Sequence, residues 1–138
     1  MYKTILVTLD ATPTDRAIIE HLKSLAHLTQ SSLVLFHVIA SAPAKYHGEN
    51  VAGSEVDRAR EYLAGVQAEF AAVGIPATTD LAYGEPVQEI VRWVKEKHCD
   101  LVAMSTHGHK FMADLVLGAT AIKVQHSISV PVLLLRAK

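Results

Sequence analysis

Short runs of uninterrupted apolar residues alternate along this chain with stretches whose apolar positions recur every three or four residues. The first kind comprises Thr4-Ile5-Leu6-Val7-Thr8-Leu9, Leu33-Val34-Leu35-Phe36-His37-Val38-Ile39, Leu101-Val102-Ala103-Met104 and Val130-Pro131-Val132-Leu133-Leu134-Leu135. Runs rich in Val, Ile and Leu without polar alternation predict strands buried on both faces. A fifth run, Ala77-Thr78-Thr79-Asp80-Leu81-Ala82-Tyr83, alternates more and predicts a strand near a sheet edge.

The second kind is helical. Val56, Ala59, Leu63, Val66, Phe70 and Val73 form one apolar stripe; Ile18, Leu22 and Leu25 do the same earlier, and Val87, Val91 and Val94 later. Punctuation fits these boundaries. Thr12 precedes Pro13 at a favoured first helical position, with Asp15 following, and Ser54 stands in the same relation to Asp57. Pro86 opens the third helix, and Gly74 sits where the second should stop. Ser41 to Gly53, with Pro43, Gly48 and Gly53 among small polar residues, reads as a long mobile loop of functional length. The order is β-α-β-α-β-α-β-α-β. It predicts a doubly wound α/β fold with a five-stranded parallel sheet and helices on both faces.

In such a sheet, ligands bind beyond the carboxyl ends of the strands, where the strand order reverses. The first strand is followed by Asp10-Ala11-Thr12, the second by Ala40 and the long loop, and the fourth by Ser105-Thr106-His107-Gly108-His109-Lys110. The last segment leads into a helix with a glycine, hydroxyls and a lysine where backbone N–H groups and the helix dipole favour an anion. Asp10 is expected to contact the ligand, although a carboxylate there also suits a cap. His107 and His109 alone are too few for a metal site.

Composition narrows the class. All 138 residues fit one domain, half of them hydrophobic, with 13 Lys+Arg against 14 Asp+Glu. That balance leaves no electrostatic footprint for nucleic acid or an anionic membrane. The apolar runs fall far short of the roughly 20 residues that span a bilayer. Tyr2-Lys3 and a strand directly after Met1 show no secretory signal. A single cysteine, Cys99, suits a cytoplasmic location and reads as a structural thiol. Trp93 reads as packing or interface. No G-x-S-x-G elbow or full P-loop is present, and Asp10 stands without the second acid that a receiver domain needs after its first strand. The chain is therefore expected not to be an enzyme, with nucleotide hydrolysis at most slow and incidental.

Several segments together resemble the universal stress protein family, over essentially the whole chain. They are the strand ending in Asp10, Phe36-His37-Val38, Tyr83-Gly84-Glu85-Pro86, Asp100 to Met104 leading into Thr106-His107-Gly108, and Val130-Pro131-Val132-Leu133-Leu134. The fold implied is the Rossmann-like, adenine nucleotide alpha-hydrolase-like one. The nucleotide-binding branch carries G-x-x-G, nine residues, then G followed by Ser or Thr. Here Ser105-Thr106-His107-Gly108, nine residues and Gly118-Ala119 stand in register, so Ser105 replaces the first glycine and Ala119 the hydroxyl residue. Thr120 lies one residue on, about 100° round the helix.

The resemblance implies a nucleotide site. Thr8, Leu9 and Asp10 would line the nucleoside end, with Asp10 near the ribose and Val38 against adenine. Met104, Ser105, His107, Gly108 and Lys110 would form the phosphate loop, closed by Gly118, Ala119 and Thr120. The implied ligand is ATP or another adenine nucleotide, ADP or AMP, with magnesium as an optional companion and no dedicated metal site. Val130, Val132, Leu133, Leu134 and Leu135 would pair two subunits. An apolar edge containing Pro131 also predicts a homodimer on physical grounds. The expected function is a stress-response module acting through nucleotide binding, dimerisation and an unidentified protein partner. The alternatives are a dimeric chaperone-like protein of the same fold that does not bind nucleotide, and a slow nucleotidase.

Overall fold

The computed structural model describes residues 1–39, 48–106 and 120–136. Its elements run β1 (Thr4–Thr8), α1 (Asp15–Thr29), β2 (Ser32–Ile39), α2 (Gly48–Ala72), β3 (Ala77–Tyr83), α3 (Pro86–Glu96), β4 (Leu101–Thr106), α4 (120–127) and β5 (Val132–Arg136). All strand pairings are parallel, in the order β3-β2-β1-β4-β5. The chain is a doubly wound, Rossmann-like α/β domain, with β3 and β5 at the sheet's two edges.

Handedness distributes the helices. The crossovers β1→β2→β3 advance in one direction, so right-handed connections place α1 and α2 on one face. The chain then returns past β1 to β4 and β5, which puts α3 and α4 on the other. Side chains of the uninterrupted runs divide accordingly. Ile5, Val7 and Leu9 with Leu33 and Leu35 pack under Ile18, Ile19 and Leu22 of α1 and Leu63, Val66 and Phe70 of α2. Their neighbours Leu6, Val34, Phe36, Val102 and Met104 pack under Ile90 and Val94 of α3 and Ala121 and Val124 of α4. Both faces of the central strands are buried, which is why their sequences do not alternate.

The punctuation differs in three places. The helix expected from Ser54 begins at Gly48, so the second half of the expected loop from Ser41 to Gly53 is helical, and Ser54 lies inside α2 rather than at its cap. An internal glycine such as Gly53 costs about 1 kcal/mol against Ala, too little to end a helix that a long apolar stripe holds against the sheet. The rest of that expected loop, residues 41–47, lies outside the described residues. The first helix starts at Asp15, two residues after Pro13; Thr14 occupies the cap position without a side-chain cap bond. Val130 and Pro131 precede β5 rather than belong to it; Pro131 contributes its carbonyl to Val102 N–H at 3.1 Å, the one ladder role open to a residue without a donor. Elsewhere the expectation holds. Gly74 ends α2 with φ +79, and Glu85 accepts from Gln88 N–H at 2.8 Å to cap α3 ahead of Pro86.

Candidate functional site

Strand order reverses between β1 and β4, and the ends of these two strands open a cleft there. It encloses about 260 Å³ and is lined by Thr8, Leu9, Asp10, Phe36, His37, Val38, Pro86, Ile90, Met104, Ser105 and Thr120. The lining has two characters. Leu9, Phe36, Val38, Ile90 and Met104 make an apolar slot, while Thr8, Asp10, His37, Ser105 and Thr120 bring hydroxyl, carboxylate and imidazole groups. A concave apolar slot edged by a few polar groups is the usual form of a small-molecule site.

The β1–α1 turn is built from both sides. Leu9 N–H donates to Phe36 O at 2.8 Å, and His37 Nδ1 lies 2.8 Å from Leu9 O, so β2 satisfies both backbone groups of Leu9. Beyond Leu9 the chain leaves the sheet, and Ala11 adopts φ +62. The Asp15 side chain, fully buried, accepts from Asp10 N–H and Ala11 N–H at 2.9 Å each. Tyr62 OH donates to the same carboxylate at 2.6 Å. Burial, and then this bond to Asp15, push the Tyr62 phenol well above its ordinary value.

Seven of the nucleotide-site residues expected from sequence meet in this cleft: Thr8, Leu9, Asp10, Val38, Met104, Ser105 and Thr120. Ser105 lies in β4, in register with Leu135, and the left-handed non-glycine residues among those described are Ala11, Gln30 and His98. The serine therefore occupies ordinary strand backbone, where a glycine's freedom is not required. His107, Gly108, Lys110, Gly118 and Ala119 lie outside the described residues. Sequence reasoning missed Phe36, His37, Pro86 and Ile90 as lining. Phe36 is fully buried and stacks on Trp93 at a centroid distance of 5.1 Å, placing the chain's one tryptophan directly behind the cleft. Pro86 and Ile90 reach the cleft from α3, a position that depends on which face that helix covers.

A wider groove of about 560 Å³ lies between α1 and α2, lined by Ala11, Thr12, Pro13, Arg16, Glu61, Tyr62, Gly65, Val66 and Glu69. It lies on the other side of the β1–α1 turn from the strand-end cleft, and Arg16 and Glu69 close one side with bonds of 3.0 and 2.6 Å. Among the described residues, no group of three His, Cys, Asp or Glu side chains is placed to hold a metal ion. No helix among them is long and apolar enough to cross a membrane. Cys99 is buried between α3 and β4, and burial pushes its thiol up to about 11. On the β5 edge, Leu134 is 48% exposed, while Val130, Val132, Leu133 and Leu135 are partly buried.

Fold and cleft together define a Rossmann-like α/β domain with an open cleft at its switch point. The universal stress protein family model matches residues 1–136, and the chain belongs to that family. It is 24% identical over 157 residues to universal stress protein MJ0577 of Methanocaldococcus jannaschii, covering 100% of this chain and 97% of that one. The solved structure of MJ0577 matches with a TM-score of 0.86 at 25% identity, over 100% and 98% of the two chains. A universal stress protein solved in complex with cAMP matches at TM-score 0.72 and 18% identity, over 97% and 96%. One from Archaeoglobus fulgidus in complex with dAMP matches at 0.70 and 16%, over 96% and 97%. These last two share the fold.

Proposed function

We propose that this chain is an adenine-nucleotide-binding stress-response module that signals through changes in its contacts rather than through turnover. The observation that carries this reading is the cleft where strand order reverses, with an apolar slot for a base and Thr8, Asp10, Ser105 and Thr120 around its mouth. Adenine fits the slot between Leu9, Val38 and Met104, and the ribose hydroxyls meet Asp10. The cAMP and dAMP complexes of two fold relatives support an adenine nucleotide as the ligand class. The slot grips the nucleoside, so AMP and ADP bind alongside ATP. Magnesium, where ATP is the ligand, enters with the phosphates. Turnover is not proposed, because an acyl- or phosphoryl-transfer site needs a nucleophile with its base or a set of acids around the reacting bond. Asp10 is the one acid among the described cleft residues.

The same reading makes the protein a cytoplasmic homodimer paired along β5, whose Leu134 is exposed on an edge strand. The test is direct. Purified protein is heat-denatured and the supernatant resolved by anion-exchange chromatography, and titration with AMP and ATP is followed by Trp93 emission through its stack on Phe36. Co-purified adenine nucleotide or a saturable emission change supports the reading. Neither, together with an unshifted melting temperature at millimolar ATP, overturns it in favour of a dimeric interaction protein that does not bind nucleotide. Phosphate release that Asp10→Ala abolishes would establish the nucleotidase instead.

A further inference from the structure

An acid in the first turn of a helix ordinarily serves that helix, satisfying its free N–H groups or its dipole. Asp15 turns the other way. Its Oδ1 accepts from Asp10 N–H and its Oδ2 from Ala11 N–H, both in the turn before the helix, and both at 2.9 Å. The turn needs this. Ala11 sits at φ +62, which L side chains disfavour, and its own amide and that of Asp10 find their acceptors on Asp15. Tyr62, two elements further along the chain on α2, donates to Oδ2 at 2.6 Å. A fully buried carboxylate is thus satisfied by two amides of one loop and a phenol of a distant helix.

The loop in question is a partition. Its residues Thr8, Leu9 and Asp10 line the strand-end cleft, and Ala11, Thr12 and Pro13 line the groove between α1 and α2. We infer that Asp15 and Tyr62 are positioning residues for the nucleoside end of the cleft, pinning this partition so that the Asp10 carboxylate faces the ligand. The inference rests on the nucleotide reading above. It adds that α2, which itself contributes nothing to the cleft among the described residues, sets the cleft's affinity through one hydroxyl.

The test uses the full chain with AMP as the probe. Tyr62→Phe keeps the ring packing and removes the donor, and it is expected to lower AMP affinity about fivefold, the scale of one ordinary lost hydrogen bond. The amide resonances of Asp10 and Ala11 move in the ligand-free protein. Asp15→Asn weakens binding similarly, and the double variant is no weaker than the poorer single one, because both act through one device. Ile75→Ala, in the core at the opposite end of the sheet, lowers the melting temperature but leaves AMP affinity unchanged. If wild type binds AMP and Tyr62→Phe binds it equally, the positioning role is overturned and the nucleotide reading stands. Strict additivity in the double variant also overturns the role. If wild type takes no adenine nucleotide, both fall together.

Discussion

His37 and Leu9 are joined across two strands, with the imidazole Nδ1 2.8 Å from the Leu9 carbonyl oxygen. A carbonyl accepts, so Nδ1 carries the proton, and the ring braces the end of β1 from β2. Replacing it by Leu fills the space but leaves the carbonyl without that partner. His37→Leu is expected to cost about 1 kcal/mol in urea denaturation. It should also weaken AMP binding, because the braced residue lines the cleft.

Ala11 offers the opposite outcome. An alanine in the left-handed region carries a steric penalty that glycine does not, while glycine has more unfolded-state entropy to lose. The first effect is the larger at φ +62, so Ala11→Gly should stabilise the fold by about 0.5 kcal/mol. Ala11→Val, with its branched side chain, should destabilise by about 1–2 kcal/mol. Denaturation midpoints of the two variants, moving in opposite directions from wild type, check this pair.

Alkaline pH tests the buried phenol. Tyr62 titrates above its ordinary 10.0 because burial and Asp15 disfavour the phenolate. A value raised in the folded state gives stability that is complete below the unfolded value and is lost as pH climbs towards the folded one. The melting temperature should therefore fall as pH rises past about 10, and fall less in Tyr62→Phe, when followed by circular dichroism.

Cys99 should be inert in the native protein. With its thiol pushed up to about 11, roughly one molecule in a thousand carries the reactive thiolate at about pH 8. Burial slows access further. Labelling by a chromogenic disulfide reagent should be slow without denaturant and complete within the mixing time in it; fast native labelling would contradict the burial.

The β5 edge is tested with a charge. Leu134→Lys places an ammonium on the exposed apolar edge, where it blocks strand-to-strand pairing between chains. Light scattering should show wild type at twice the chain mass and the variant at the chain mass, with its circular dichroism spectrum unchanged.

The sheet was legible in the sequence because burial on both faces leaves an uninterrupted apolar run, and no other element of this length does so. The cleft was half legible for the same reason. Asp10 and Ser105 follow from the rule that ligands sit beyond strand ends, which needs only the strands, while Thr8, Leu9, Val38, Met104 and Thr120 follow from the family resemblance. Ile90 and Pro86 were not, since their place depends on which face α3 crosses and how far its first turn reaches. Asp15 looked like an ordinary acid near a helix start. Its real partners, two amides behind it and a phenol 47 residues away, are set by tertiary packing that no local spacing records. The start of α2 was obscured by glycines whose individual cost is smaller than the packing of the helix they enter.

The central place of β1 has a consequence for synthesis. One of its edges is taken by β2 as soon as the β1–α1–β2 unit emerges, but the other waits for β4, with Ile5 paired to Leu101. Asp100 then bonds Lys3 N–H and Thr4 N–H at 2.9 and 3.1 Å, fastening the start of the chain to a residue made 96 positions later. At about 5–20 residues per second, the ribosome leaves that apolar edge open for roughly 5–20 s. By the end of that interval β1, β2 and β3 have all been made while the β1 edge still lacks its β4 partner, so a nascent chain of this design carries a bare hydrophobic border that a chaperone would cover.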